Sequence, residues 1–159
     1  MQFYTIVGAF IIALCGVESA KRLNISAERD IAVADAFLKL LRYARAQIDC
    51  YALPVRDIFE RCGMEMLSLC GWREDRFPDT FLELYSNCYI SDKGVRGIIL
   101  EFCSDFGQSY REEQLKRCDA CISELEGRKS ELSFEAPKQK RLNVTLCLGA
   151  SVAVIILLV

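Results

Sequence analysis

Cys118-Asp119-Ala120-Cys121 is the spacing in this chain closest to a reactive motif, a C-x-x-C that could serve as half of a zinc site or as a redox pair. The chain holds nine cysteines and no histidine. A zinc site would therefore need two more thiolates, with Cys62 and Cys70 as candidates, and no second C-x-x-C supplies them. Seven cysteines lie in the middle of the chain (Cys50, Cys62, Cys70, Cys88, Cys103, Cys118 and Cys121), an odd number at irregular spacing, which argues against a disulfide framework. The simpler expectation is that they are small apolar residues on buried helix faces, in a reducing compartment. Other chemistry is sparse. There is no glycine-rich phosphate loop and no imidazole base, and Glu112-Glu113 reads as a charged helix face rather than an acid–base pair. Lys116 and Arg117 read as solvated cations or as contacts to an acidic partner. The expectation is a protein that binds other proteins, with no catalytic residue, cofactor or metal of its own.

The elements around these residues read as helices. Ser26 is placed to cap a helix with apolar residues at Ile31, Ala34, Phe37 or Leu38, Leu41, Ala44 and Ile48. Pro54 stops it and opens a short helix to Cys62, ended by Gly63. Met64 to Gly71 is either another short helix or a packed loop. Pro78 opens a third helix through Phe81, Leu82, Leu84 and Tyr85 towards Tyr89. Ser91 or Asp92 caps a helix from Lys93 to Phe106, with a face of Val95, Ile98, Ile99, Phe102, Cys103 and Phe106, and Gly107 ends it. A long helix starts near Arg111 with its seam at Leu115, Cys118, Ile122, Leu125 and Leu132. Gly127 and Pro137 predict a bend in it. No segment alternates with period two. The fold class expected is all-α, an antiparallel bundle of about five helices between two terminal transmembrane helices.

Those terminal helices follow from two apolar runs. Phe3 to Val17 carries no formal charge, and neither does Leu142 to Val159, whose 18 residues give ~27 Å of helix, close to a bilayer core. The expected division is a transmembrane anchor at 1–20, a cytoplasmic helical domain at 21–141 and a second anchor at 142–159. Lys21 and Arg22 follow the first run, and Lys138, Lys140 and Arg141 lead into the second, which puts the middle on the cytoplasmic side of a cell membrane. A cleaved secretory signal is the rival for the first run. No Lys or Arg precedes it, Glu18-Ser19-Ala20 is a poor cleavage site, and Leu14 stands before Cys15 where a lipoprotein needs a small residue. The middle carries 20 Lys plus Arg against 21 Asp plus Glu (22 in the chain, less Glu18), so no basic face for nucleic acid is expected.

In order and spacing the chain resembles the stage III sporulation protein AB family. The shared features are an N-terminal apolar run closed by Val17-Glu18-Ser19-Ala20-Lys21-Arg22 and a helix leading to Leu53-Pro54-Val55. After these come a helix ending in Phe106-Gly107, the break Gln108-Ser109-Tyr110, a helix opening with Gln114-Leu115-Lys116, and a tail from Arg141-Leu142 to Val159 with Gly149 inside it. The chain departs from the family pattern at Ser109-Tyr110, at Arg117 where the family has histidine, and in its many cysteines.

The resemblance implies a non-enzymatic membrane platform in endospore formation, part of the assembly linking mother cell and forespore, in the mother-cell membrane that faces the forespore. It also implies a domain similar to the cytoplasmic helical domains of the platform protein of type II secretion and type IV pilus systems. The implied partners are a cytoplasmic ATPase of the stage III sporulation protein AA type, other membrane components of the same complex and the lipid bilayer, and self-association fits such a role. The corner between the last two helices of the middle, with Gln108, Arg111, Gln114 and Lys116, is the expected partner-binding site, and helix capping with solvation is the competing role for the same residues. Two alternatives are a membrane-tethered scaffold outside sporulation and a cysteine-based metal or redox protein.

Overall fold

The computed structural model describes the backbone of residues 2–107 and 110–158; within the helices, the side chains of residues 2–7, 9–13, 23, 105, 151, 154, 155, 157 and 158 are left aside. Five helices make up the described chain: α1 (Gln2–Tyr51), α2 (Val55–Leu69), α3 (Phe81–Ser86), α4 (Lys93–Asp105) and α5 (Arg111–Leu158). No strand occurs among the described residues. The all-α expectation holds. The helix inventory differs, because the apolar ends are not separate elements: the first is continuous with α1 and the second with α5. Ser26 accordingly lies inside α1 and not at a cap. The turn before it is already helical, so there are no orphan N–H groups there for its hydroxyl to satisfy. Gly127 and Pro137 both sit inside α5.

Among the described residues, no helix is long and apolar enough to cross a membrane. Of the two expected anchors, most of the first (1–7 and 9–13) and a third of the second (151, 154, 155 and 157–159) have side chains that lie outside the described residues.

The chain divides into two compact units, residues 29–131 and residues 1–28 with 132–159. The first unit holds the core. α1 buries Val33, Ala34, Ala36, Phe37, Leu38, Leu40, Leu41, Ala44 and Ile48. Two seams run side by side, wider than the single stripe expected, because the helix is gripped from more than one direction. α5 grips it through an antiparallel series of ion pairs: Asp35 with Lys129, Arg42 with Glu126, Arg45 with Asp119 and Asp49 with Arg111. Exposed pairs of this kind stabilise little individually; their consistent order fixes the register of α1 against α5. The start of α4 grips α1 through Asp30, which is 5 % exposed and accepts from the backbone N–H groups of Ser91 (3.0 Å) and Asp92 (2.9 Å).

The short helices carry the aromatic part of the core. Phe81 of α3 is 1 % exposed, and its ring lies 4.8 Å from Phe59 of α2, 5.3 Å from Phe102 of α4 and 4.8 Å from Phe106, all edge-on. Edge-on contacts place the positive ring edge on a negative face. α2 is broken at Gly63 (φ +81°), so the expected short helix ending there is present and Met64 starts a second one. α3 begins at Phe81 rather than at Pro78. Thr80 caps it by accepting from the Glu83 N–H at 3.1 Å, and the Glu83 carboxylate accepts from the Asp79 N–H at 2.7 Å. The sequence signal was Thr80-x-x-Glu83, a capping-box spacing that outranks the proline. α4 is capped by Asp92, which accepts from the Val95 N–H at 2.8 Å.

Candidate functional site

The corner where α1 ends, α2 begins and α5 begins is the site singled out by sequence. Three local features build it. Ala52 stops α1 in the left-handed region (φ +51°) while its N–H still donates to the Ile48 carbonyl at 3.1 Å. Pro54 then holds the connection extended and serves as the N-cap of α2. Gly107, at φ +94°, lets the chain leave α4 with a backbone conformation that other residues rarely adopt. Together these place Leu53, Pro54, Val55, Gly107, Arg111 and Gln114 around a groove of about 360 Å³.

The four residues expected to bind a partner are placed differently from one another. Arg111 and Gln114 line this groove. Lys116 is exposed, on the first turns of α5. Gln108 lies outside the described residues. Arg111 is committed within the fold: its Nε donates to the Ile48 carbonyl (3.2 Å), and its Nη2 donates to the Asp49 carbonyl (2.5 Å) and carboxylate (2.6 Å). A cation at the first position of α5 opposes that helix's dipole, but here it sits on the C-terminal carbonyls of α1, where positive charge is favourable. Glu112 and Glu113 follow it in the first turn of α5, where carboxylates are stabilised, and both are exposed. Arg117 donates to Glu113 at 3.0 Å. Two exposed aromatics near this end of α1 and α5 were not among the expected site residues: Tyr110 is 91 % exposed, and Tyr51 is 64 % exposed under the Arg61 guanidinium. Their pattern signal was absent because neither belongs to a helix seam.

Four of the nine cysteines are core residues, while Cys15 and Cys50 are exposed. Cys70, Cys103, Cys118 and Cys121 are buried, and all nine are free thiols. Burial pushes the Cys118 and Cys121 thiols up to about 12, and the Cys62 thiol up to about 11. Burial likewise raises Cys88 to about 12, and its Sγ donates to the Cys70 carbonyl at 2.6 Å. Such thiols are poor nucleophiles near neutral pH, because the thiolate is the reactive form. Among the described residues, no group of three or more Cys, Asp or Glu side chains is arranged to hold a metal ion.

A family model described as stage III sporulation protein AB matches residues 74–159, more than half of the chain. No curated protein and no solved structure matches it. The match runs from the loop before α3 to the last residue, across the α4–α5 corner and the apolar tail. This chain belongs to the stage III sporulation protein AB family and has a sporulation-related role.

Proposed function

We propose that the protein is a non-enzymatic membrane platform of a sporulation channel complex linking mother cell and forespore. Its helical domain, 21–141, would dock a cytoplasmic ATPase, and its apolar ends, 1–20 and 142–159, would hold it in the mother-cell membrane facing the forespore. The observation that carries the membrane part is the outward direction of the apolar tail. Leu142, Leu146, Val152 and Ile156 are 58, 62, 54 and 70 % exposed on α5, and Leu14 is 53 % exposed on α1. A helix segment that turns large apolar side chains outward needs a covering of matching polarity, and lipid supplies one. The domain part is supported by a core that ties α1, α4 and α5 together, as a surface transmitting force to or from a motor requires.

Docking at the α4–α5 corner is testable without disturbing the fold. Arg111 is a poor probe, because charge reversal there would also break its three bonds to the end of α1. Lys116→Glu, at an exposed position, avoids that confusion. Co-expression with the ATPase followed by co-purification should lose the complex in this variant while its helicity and melting temperature stay normal. Retained complex would move the docking surface elsewhere. The cysteine-based metal or redox reading is disfavoured by the raised, buried thiols of Cys118 and Cys121.

A further inference from the structure

The unit formed by residues 1–28 and 132–159 has a charge balance opposite to the rest of the chain. It carries five cations (Lys21, Arg22, Lys138, Lys140 and Arg141) against three acids (Glu18, Glu28 and Glu135). By difference from totals of 20 and 22, residues 29–131 carry 15 cations against 19 acids. The excess positive charge is concentrated in one place. Asn143 Nδ2 donates to Asn24 Oδ1 at 3.2 Å, and Lys140 Nζ donates to Glu28 Oε1 at 3.4 Å. These two contacts pair the α1 and α5 segments of this unit in antiparallel register. An amide pair facing across two helices is a register device, because sliding either helix leaves both amides unpaired. With the register set, all five cations lie within five residues of Asn24 or Asn143, about 8 Å along a helix at ~1.5 Å per residue.

All five are exposed. Two have internal partners, Arg22 with Glu18 at 3.7 Å and Lys140 with Glu28. Lys138 rests its Nζ 4.1 Å above the exposed Phe134 ring. Lys21 and Arg141 take part in no ion pair among the described residues. The cations therefore form a collar at the foot of the outward-facing apolar tail, with charge left over after internal pairing.

We propose that this collar binds the phosphate-bearing headgroups of acidic phospholipids, held in register by the Asn24–Asn143 bond. The proposal rests on the membrane attachment proposed above. Cations beside an anionic leaflet each favour it by roughly fivefold in binding, and the effect decays within a Debye length. Zwitterionic lipid offers no such preference.

The test uses the full chain, reconstituted in vesicles of equal phosphatidylcholine and phosphatidylglycerol. Flotation first reads attachment; mass spectrometry of lipid retained after mild detergent extraction then reads preference. Wild type should float and retain phosphatidylglycerol over phosphatidylcholine by about five to one. The variant Lys21→Gln, Lys138→Gln, Arg141→Gln should float equally, keep its helicity and retain the two lipids in bulk proportion. Raising salt to about 1 M, where screening shortens to about 3 Å, should collapse the wild-type preference. Wild type that floats but shows no preference overturns the collar and leaves the attachment standing, as does a preference that survives both the triple variant and high salt. A chain that floats with neither lipid overturns both readings.

Discussion

The two units teach different things about how apolar residues are used. Residues 29–131 turn them inward: twelve large side chains there, Phe37, Phe59 and Phe81 among them, are fully buried. In the unit of residues 1–28 and 132–159, Ala20 alone among the described apolar residues is buried, while Phe134, Leu142, Leu146 and Ile156 each expose more than half of their surface. The same residue types thus do opposite work. In the first unit they exclude water and hold the fold together. In the second they are presented to the surroundings, beside the polar Asn24–Asn143 and Glu28–Lys140 contacts.

Truncation measures that difference most directly. Phe81→Ala removes a ring shared by α2, α3 and α4 and should cost about 3–5 kcal/mol. Phe134→Ala, at 69 % exposure, should cost less than about 0.5 kcal/mol. Urea unfolding of both variants would break the comparison if the two losses came out similar. Asp30→Ala is expected next in size. It leaves the Ser91 and Asp92 N–H groups without their acceptor and should cost about 2 kcal/mol, visible as earlier amide exchange at the start of α4. Ala52→Gly should act in the opposite direction. It relieves a left-handed alanine at the end of α1 and should stabilise by about 0.5–1 kcal/mol, read as a raised melting temperature.

The smallest effect is on pH. Hydrogen bonds from Lys129 and Lys39 hold the Asp35 carboxyl at about 2, below its ordinary 3.8, and the Arg128 guanidinium lowers Asp92 in the same sense. A carboxylate depressed by folding adds stability above its unfolded value and loses it as pH falls. Stability should therefore decline as pH drops from about 4 to about 2. Asp35 is a third exposed, so its share, after solvent screening, is less than about 1 kcal/mol. Asp35→Asn should flatten the decline, and a urea midpoint series across that range checks it.

Much of the helical layout was legible. The breaks at Gly63 and Gly107 and the Asp92 cap follow from local backbone chemistry, which a few neighbouring residues control. The register of α1 on α5 was not legible, since Asp35 and Lys129 are 94 residues apart and each alone reads as a solvated charge. The same holds for Arg111. Sequence offered it as a free cation on a corner, and only the approach of α1 gave it carbonyls to bind.

The order of residues by itself determined an all-helical chain with apolar ends, thiols on helix seams and few reactive groups, because periodicity, caps and composition act over one or two turns. The tertiary structure alone decided that Asp30 anchors α4, that the Cys118 and Cys121 thiols are buried and raised, and that Asn24 meets Asn143. Each of those depends on bringing together residues distant in the chain, and no local preference encodes such a meeting.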